Sequence, residues 1–141
     1  MAKDTKSAGA VTALQFAYEC VRRGAAISEP IGDNSRYDFI VDNGKQLLRV
    51  QVKTASELKP GIFCVNGTRK IPKGDKVVSV PYQKDELDCL VTLAGGFWFF
   101  FPEPYVLKGI IQIRPDAPPG HYKWNFGKDK WAFLGLPALP L

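Results

Sequence analysis

The feature that most constrains the fold is an Asn-Gly pair, Asn43–Gly44, between two runs in which apolar and polar residues alternate. Such a pair in this setting is the strongest short-range signal for a β-hairpin. We therefore predict two antiparallel strands within residues 36–54. Successive side chains on a strand point to opposite faces, so the members of each face can be read from the sequence. One face collects Tyr37, Phe39, Val41, Leu48, Val50 and Val52, and the other collects Asp38, Ile40, Asp42, Leu47, Arg49, Gln51 and Lys53.

The register of this hairpin depends on the length of its loop. If the Asn-Gly pair alone forms the loop, Asp38 pairs with Arg49; a four-residue loop instead sets Asp38 opposite Gln51. Both registers leave the two faces unchanged, whereas a three-residue loop would scramble them, and the clean apolar face argues against it. In either case an acid, an amide and a lysine (Asp38, Gln51 and Lys53) share the polar face.

These three side chains have a chemical interpretation. A carboxylate oxygen and an amide oxygen from the next strand can hold a hard cation such as Mg²⁺, which keeps several of its waters. A lysine two residues further on can position or deprotonate a water while the metal offsets charge that builds up on a phosphate. The alternative is that they are the solvated residues of an exposed sheet face, which antiparallel sheets often have.

At these positions the sequence resembles the PD-(D/E)XK nucleases. Asp38 matches the Asp of their signature, Gln51–Lys53 matches the (D/E)-x-K element, and Glu19 matches the acid that the preceding helix often supplies. The likeness is greatest to the small group I intron homing endonucleases of this superfamily, where Gln stands in the Glu place and GDN-x-RYD is followed by VQVKT. It covers about residues 15–55. Since Gln51 is neutral, metal affinity should depend mainly on Asp38.

The resemblance implies an α/β, restriction-endonuclease-like core, with an N-terminal helix packed on a mixed β-sheet and the active site on the hairpin. It implies hydrolysis of double-stranded DNA with Mg²⁺, for which Mn²⁺ can substitute. Asp38, Gln51 and the Val52 carbonyl would bind the metal, Lys53 would orient the attacking water, and Glu19 would hold a second metal or a water bound to it. Since a chain with one site cuts one strand, the resemblance predicts a homodimer or homotetramer.

Composition sets wider bounds. A chain of 141 residues with 45% hydrophobic content predicts a single domain, 1–141, with a real core. We expect no membrane span, since no run approaches the ~18 apolar residues required, and no secretory signal in the first residues. Three cysteines without metal-ligand spacing predict reduced core residues of a cytoplasmic protein. A net charge of +5 is compatible with a polyanionic partner.

The sequence also predicts a first helix over Ser7–Arg23, with its apolar stripe at Val11, Leu14, Tyr18 and Val21. Glu19 lies at the flank of this stripe, about 120° from its centre. From there it can reach an active site at the sheet edge or simply face solvent. Asp33 is a further acidic candidate, which a Gly-Asp-Asn-Ser turn explains equally well.

A basic segment follows a polar connection at residues 55–60 and a strand at 61–65. We predict that residues 68–76 form a loop beside the cleft, where it would contact backbone phosphates or serve only as a soluble surface. Its basic residues are Arg69, Lys70, Lys73 and Lys76.

The second half of the chain is predicted to contain a strand pair, residues 89–93 and Phe97–Phe101, that builds the far side of the sheet. Residues 115–141 are predicted to be an irregular tail rich in aromatic and basic residues. Its aromatic side chains either pack on the core or on a second subunit, or stack on nucleic-acid bases.

Other functions stay open. The chain could be a DNA-binding module whose nuclease site has decayed, or a junction-resolving or restriction-type nuclease. It could also be a structural or partner-binding protein that uses Phe97–Phe101 and the tail as its interaction surface.

Overall fold

The computed structural model describes residues 5–32, 35–103, 105, 109–118 and 120–139. One long helix precedes a series of short strands, and 3₁₀ helices follow them. The elements are α1 (Thr5–Arg22), β1 (Ala26–Ser28), β2 (Phe39–Asp42), β3 (Leu47–Thr54), β4 (Ser56–Lys59), β5 (Ile62–Asn66), β6 (Thr68–Lys73), β7 (Lys76–Pro81), β8 (Cys89–Ala94), β9 (Phe97–Pro102) and β10 (Ile110–Ile113), with 3₁₀ helices at Lys123–Gly127 and Trp131–Leu134.

The central sheet has the strand order β1-β2-β3-β8-β9. Its β3–β8 pair is parallel and its other pairs are antiparallel, so the sheet is mixed, and α1 packs on one of its faces. The predicted α/β fold class is therefore confirmed. The hairpin that was predicted from residues 36–54 lies at the middle of this sheet.

The hairpin has the four-residue loop, because Asp42 pairs with Leu47 and Phe39 with Val50. The register predicted for a two-residue loop is wrong. Asn43 explains the longer loop: its Oδ1 accepts the backbone N–H groups of Lys45 and Gln46. Its Nδ2 also donates to the carbonyl of Leu134, 91 positions away in sequence, at 2.9 Å. The turn is therefore shaped by its side-chain acceptor and held against the C-terminal segment.

Two hydrophobic cores lie on opposite faces of the central sheet. The first lies between the sheet and α1 and contains, among others, Phe16, Cys20, Val41, Val50, Val91, Phe100 and Trp131. The second lies on the other face and contains Val65, Tyr82, Leu87, Leu90, Ala94, Phe99, Phe101, Ile111 and Ile113. Strands β8 and β9 contribute to both cores, which explains their near-continuous apolar sequence.

The face of α1 that packs on the sheet differs from the predicted stripe. Phe16 and Cys20 are fully buried, whereas the predicted stripe lies at the surface. Its members are Val11, Leu14, Tyr18 and Val21, each more than half exposed. The helix carries two apolar stripes, and the one with Ala13 and Ala17 beside Phe16 packs inward, since small side chains let a helix approach closely.

Two predicted connections are strands. The basic segment is the first half of a two-stranded ribbon, β6 paired with β7, in which Lys73 lies opposite Lys76. The open loop predicted for residues 68–76 is wrong. The polar connection at 55–60 contains β4, which pairs with β5 in a second sheet of order β10-β5-β4. Every residue of β4 is exposed, so it has no apolar alternation for sequence analysis to detect.

The C-terminal segment packs on the molecule. Trp131, Leu134 and Leu136 join the first core, and Trp124 and Phe126 pack against the second. The packing interpretation of the tail is thus confirmed. The prediction that Phe97–Phe101 forms an interaction surface is wrong, because β9 is largely buried.

All three cysteines are free, and Cys20 and Cys89 are buried as predicted, whereas Cys64 is only half-buried. Within the described ranges, no helix is long and apolar enough to cross a membrane.

Candidate active site

The hairpin brings the Asp38 carboxylate beside the Gln51–Lys53 segment of β3. The regular β2–β3 ladder ends at the pair of Phe39 and Val50, so the expected pair of Asp38 with Gln51 does not form. The backbone N–H of Asp38 donates instead to the carbonyl of Val50 at 2.9 Å, which is out of register for that pair. Asp38 and Gln51 are both half-buried.

The Asp38 carboxylate has one oxygen engaged. Its Oδ2 accepts the backbone N–H of Val52 at 2.9 Å. Burial raises the pKa of Asp38 above its ordinary value of 3.8, although the Val52 hydrogen bond and the Lys53 charge oppose the increase, and the Glu29 charge adds to it. A carboxylate whose ionised form is disfavoured by burial gains most from a nearby cation.

Lys53 lies on the same face as Gln51, two residues along β3. Its Nζ donates to the carbonyl of Thr68 at 2.7 Å, which connects the site to the first residue of the β6–β7 ribbon. Burial lowers the pKa of Lys53, the Asp38 charge opposes this, and the Lys70 charge adds to it. Thr92 fixes the backbone here, because its Oγ1 donates to the Lys53 carbonyl at 2.7 Å.

A cavity of about 310 Å³ opens beside Asp38 at the end of β2. It is lined by Ala10, Ala13, Leu14, Glu29, Asp38 and Phe39. Sequence analysis did not single out Glu29. Its approach to Asp38 depends on the pairing of Ser28 with Ile40, which carries the chain after β1 past the start of β2 and which no local sequence pattern signals.

Glu19 does not line this cavity. Its Oε2 lies 3.0 Å from Arg22 Nε and 3.0 Å from Arg23 Nη1. Glu19 is six residues beyond Ala13, which places it about 9 Å further along the helix axis and about 120° around it. The structure thus groups Asp38, Gln51 and Lys53 and holds Glu19 in ion pairs near the end of α1.

The proposed DNA-binding side chains lie on the β6–β7 ribbon. Lys70, Lys73 and Lys76 are exposed, whereas Arg69 is half-buried and its Nη1 lies 2.6 Å from Glu86 Oε2. Asp33 lies outside the described residues.

The donor set suits a hard divalent ion. Nowhere in the described ranges do three or more His, Cys, Asp or Glu side chains gather to hold a metal. The ligands would therefore be a carboxylate oxygen of Asp38, the amide oxygen of Gln51, the Val52 carbonyl and waters. Mg²⁺ accepts one or two carboxylates and retains several waters, and the open cavity beside Asp38 leaves room for them.

Comparisons with known proteins identify the family and a similar fold. No curated protein matches the sequence. The structure is similar to a solved bacterial homing endonuclease, I-Ssp6803I, with a TM-score of 0.79 and 22% sequence identity over 94% of this chain and 93% of that one. The family model described as PD-(D/E)XK endonuclease matches residues 3–95, well over half of the chain. The chain therefore belongs to the PD-(D/E)XK endonuclease family.

Proposed function

We propose that this nuclease is a Mg²⁺-dependent, sequence-specific endonuclease of the homing type, which hydrolyses phosphodiester bonds in double-stranded DNA. The observation that carries the proposal is the hydrogen bond from the Val52 N–H to Asp38, which holds the carboxylate beside the segment that contains Gln51 and Lys53. The structural likeness to a bacterial homing endonuclease supports the homing-type assignment.

Each residue of the site has a distinct role. The Val52 N–H holds Asp38 Oδ2, which orients the carboxylate and leaves Oδ1 to face the metal. Gln51 and the Val52 carbonyl complete the protein ligands. When bound, the divalent ion offsets the charge that develops on the phosphate. Lys53 has two ammonium protons left after its bond to Thr68, and these orient the attacking water.

The β6–β7 ribbon contacts the DNA. A two-stranded ribbon fits the major groove of B-form DNA, and exposed lysines along it neutralise phosphates. Lys70, Lys73 and Lys76 supply these charges, while Glu86 orients Arg69. The Lys53–Thr68 bond fixes the root of the ribbon to the site, so that DNA held by the ribbon lies over the hairpin.

The enzyme acts as a homodimer or homotetramer, since one site per chain cuts one strand. The exposed stripe on α1 supports self-association, because its spacing of three and four residues is the heptad pattern by which identical helices pack together. Light scattering on wild type and on Tyr18→Glu tests this: the variant should have a lower mass. An unchanged oligomer would exclude this stripe as the interface.

A plasmid assay tests the activity. Supercoiled plasmids carrying random inserts are incubated with the protein and Mg²⁺ or Mn²⁺, and Asp38→Asn and Lys53→Met are the variants. We expect nicked or linear products from the wild type at particular inserts and cleavage by either variant that is slower by about a hundredfold. DNA binding without cleavage at any insert would instead favour a decayed site. Faster cleavage of four-way junctions than of duplexes would favour junction resolution.

A further inference from the structure

We propose that Glu29, rather than a residue of α1, supplies the second carboxylate of the hairpin metal site. This rests on the proposed function, because it assigns a further ligand to the same site. The sequence comparison with PD-(D/E)XK nucleases pointed to Glu19 for this role. The geometry of the cavity beside Asp38 points to Glu29.

The walls of this cavity carry the first part of the argument. Helix α1 contributes Ala10, Ala13 and Leu14, which have no oxygen in their side chains. Among the described residues that line the cavity, Asp38 and Glu29 alone carry a carboxylate. A site in this cavity therefore takes its second acid from the segment after β1.

The backbone directs Glu29 toward α1. Ile27 in β1 packs against the first core, and side chains two residues apart on an extended chain share a face. The residue before a proline is restricted to an extended conformation, so the chain stays extended at Glu29 because Pro30 follows it. Glu29 thus lies on the helix side of the sheet, where the register carried on from Ser28–Ile40 brings it beside Phe39 at the cavity wall.

The charges around the two glutamates differ. Arg22 and Arg23 neutralise Glu19, and Arg23 is in turn held by the Pro137 carbonyl at 3.1 Å. In the part of the chain that the structure describes, no hydrogen bond or ion pair engages Glu29, and its charge acts on Asp38. Two carboxylates that share a cavity repel each other, and a divalent cation between them removes that repulsion.

Metal titration of the full-length protein tests the assignment without depending on catalysis. Mn²⁺ binding is measured by the loss of the free-ion paramagnetic resonance signal, with wild type, Glu29→Gln, Glu19→Gln and Asp38→Asn compared. Glu19→Gln is the matched control, because it makes the same chemical change. We expect Glu29→Gln to weaken Mn²⁺ binding at least about tenfold, as loss of a group that supports a metal site typically does. Glu19→Gln should bind Mn²⁺ as the wild type does.

The outcomes separate this inference from the proposed function. Suppose that Asp38→Asn abolishes Mn²⁺ binding. The role of Glu29 would then be overturned if Glu29→Gln bound Mn²⁺ with wild-type affinity, or if Glu19→Gln lost as much affinity as Glu29→Gln. If the wild type bound no Mn²⁺, or Asp38→Asn bound it normally, the metal site itself would be refuted. Glu29 is exposed, so Glu29→Gln should keep the wild-type urea midpoint, and a retained midpoint assigns any loss of affinity to the ligand rather than to unfolding.

Discussion

Replacing Trp131 with alanine should lower the free energy of unfolding more than almost any other substitution in the C-terminal segment. Trp131 is 3% exposed and lies in the first core. Its ring is stacked on Phe16 with centroids 6.0 Å apart and meets Phe100 edge-on at 4.7 Å. The Arg23 guanidinium lies 3.8 Å from the ring centroid on the α1 side. The indole therefore joins the C-terminal segment to the helix and to the sheet.

The magnitude follows from these contacts. Truncating a buried tryptophan to alanine costs about 3–5 kcal/mol, which includes the cavity left behind. The lost cation–π contact with Arg23 adds about 0.5–1 kcal/mol. A domain of this size has a free energy of unfolding of about 5–15 kcal/mol, so roughly a quarter or more of its stability would disappear. The melting temperature should fall by on the order of 10 °C.

Urea unfolding followed by far-ultraviolet circular dichroism measures the change, because this signal does not depend on the deleted indole. Phe133 is the matched control: it lies in the same 3₁₀ helix but is 41% exposed, so Phe133→Ala should cost no more than about 1 kcal/mol. If Trp131→Ala kept the wild-type midpoint and lost DNA affinity instead, the indole would be a base-stacking residue and the packing argument would be refuted.

Two further predictions concern a close backbone approach and an ion pair. A Cβ at Gly127 would lie 2.3 Å from the Phe100 carbonyl oxygen, so Gly127→Ala should lower the free energy of unfolding by at least about 1–3 kcal/mol. Gly9 lies in open space within α1, so Gly9→Ala should raise the free energy of unfolding by up to about 1 kcal/mol. Equal effects of the two substitutions in urea unfolding would contradict this reasoning. Burial alone would raise the pKa of Asp88, but its hydrogen bonds to Arg49 outweigh burial and hold the pKa below the ordinary 3.8. The Asp88–Arg49 pair therefore contributes stability above about pH 4, and this stability is lost as the pH falls through the lowered pKa of Asp88. As the pH is lowered through this range, the urea midpoint of Asp88→Asn should fall less steeply than that of the wild type. Parallel curves of urea midpoint against pH would show that the pair contributes nothing.

Only part of the candidate site follows from local geometry. The alternation of side chains on a strand assigns Gln51 and Lys53 to one face of β3 whichever even-numbered loop forms. The position of Asp38 does not follow from it, because the ladder ends at Phe39 and the Val52 N–H holds the carboxylate instead. The register could not be predicted, because the Asn43 side chain that shapes the turn is held by Leu134, a residue far along the chain. Which face a side chain occupies follows from its position along its own strand, whereas the register between these two strands depends on tertiary structure.

The inward face of α1 and the role of Glu29 were beyond sequence analysis for a related reason. The helix has two apolar stripes, and hydrophobic periodicity does not show which one the sheet will cover. The stripe predicted from sequence, which includes Leu14, is exposed, and Ala13 and Phe16 face the sheet instead. The cavity that groups Glu29 with Asp38 exists only once α1, β1 and β2 are packed. Long-range packing therefore decides which acids meet.

Direct location of a bound metal tests the central claim most sharply. Crystals grown with Mn²⁺ should give an anomalous-scattering peak about 2.0–2.3 Å from a carboxylate oxygen of Asp38 and within ligand distance of the Val52 carbonyl. The peak should be absent from crystals of Asp38→Asn grown in the same way. A wild-type peak elsewhere, or one that survives in Asp38→Asn, would contradict the assignment of this hairpin as the metal site.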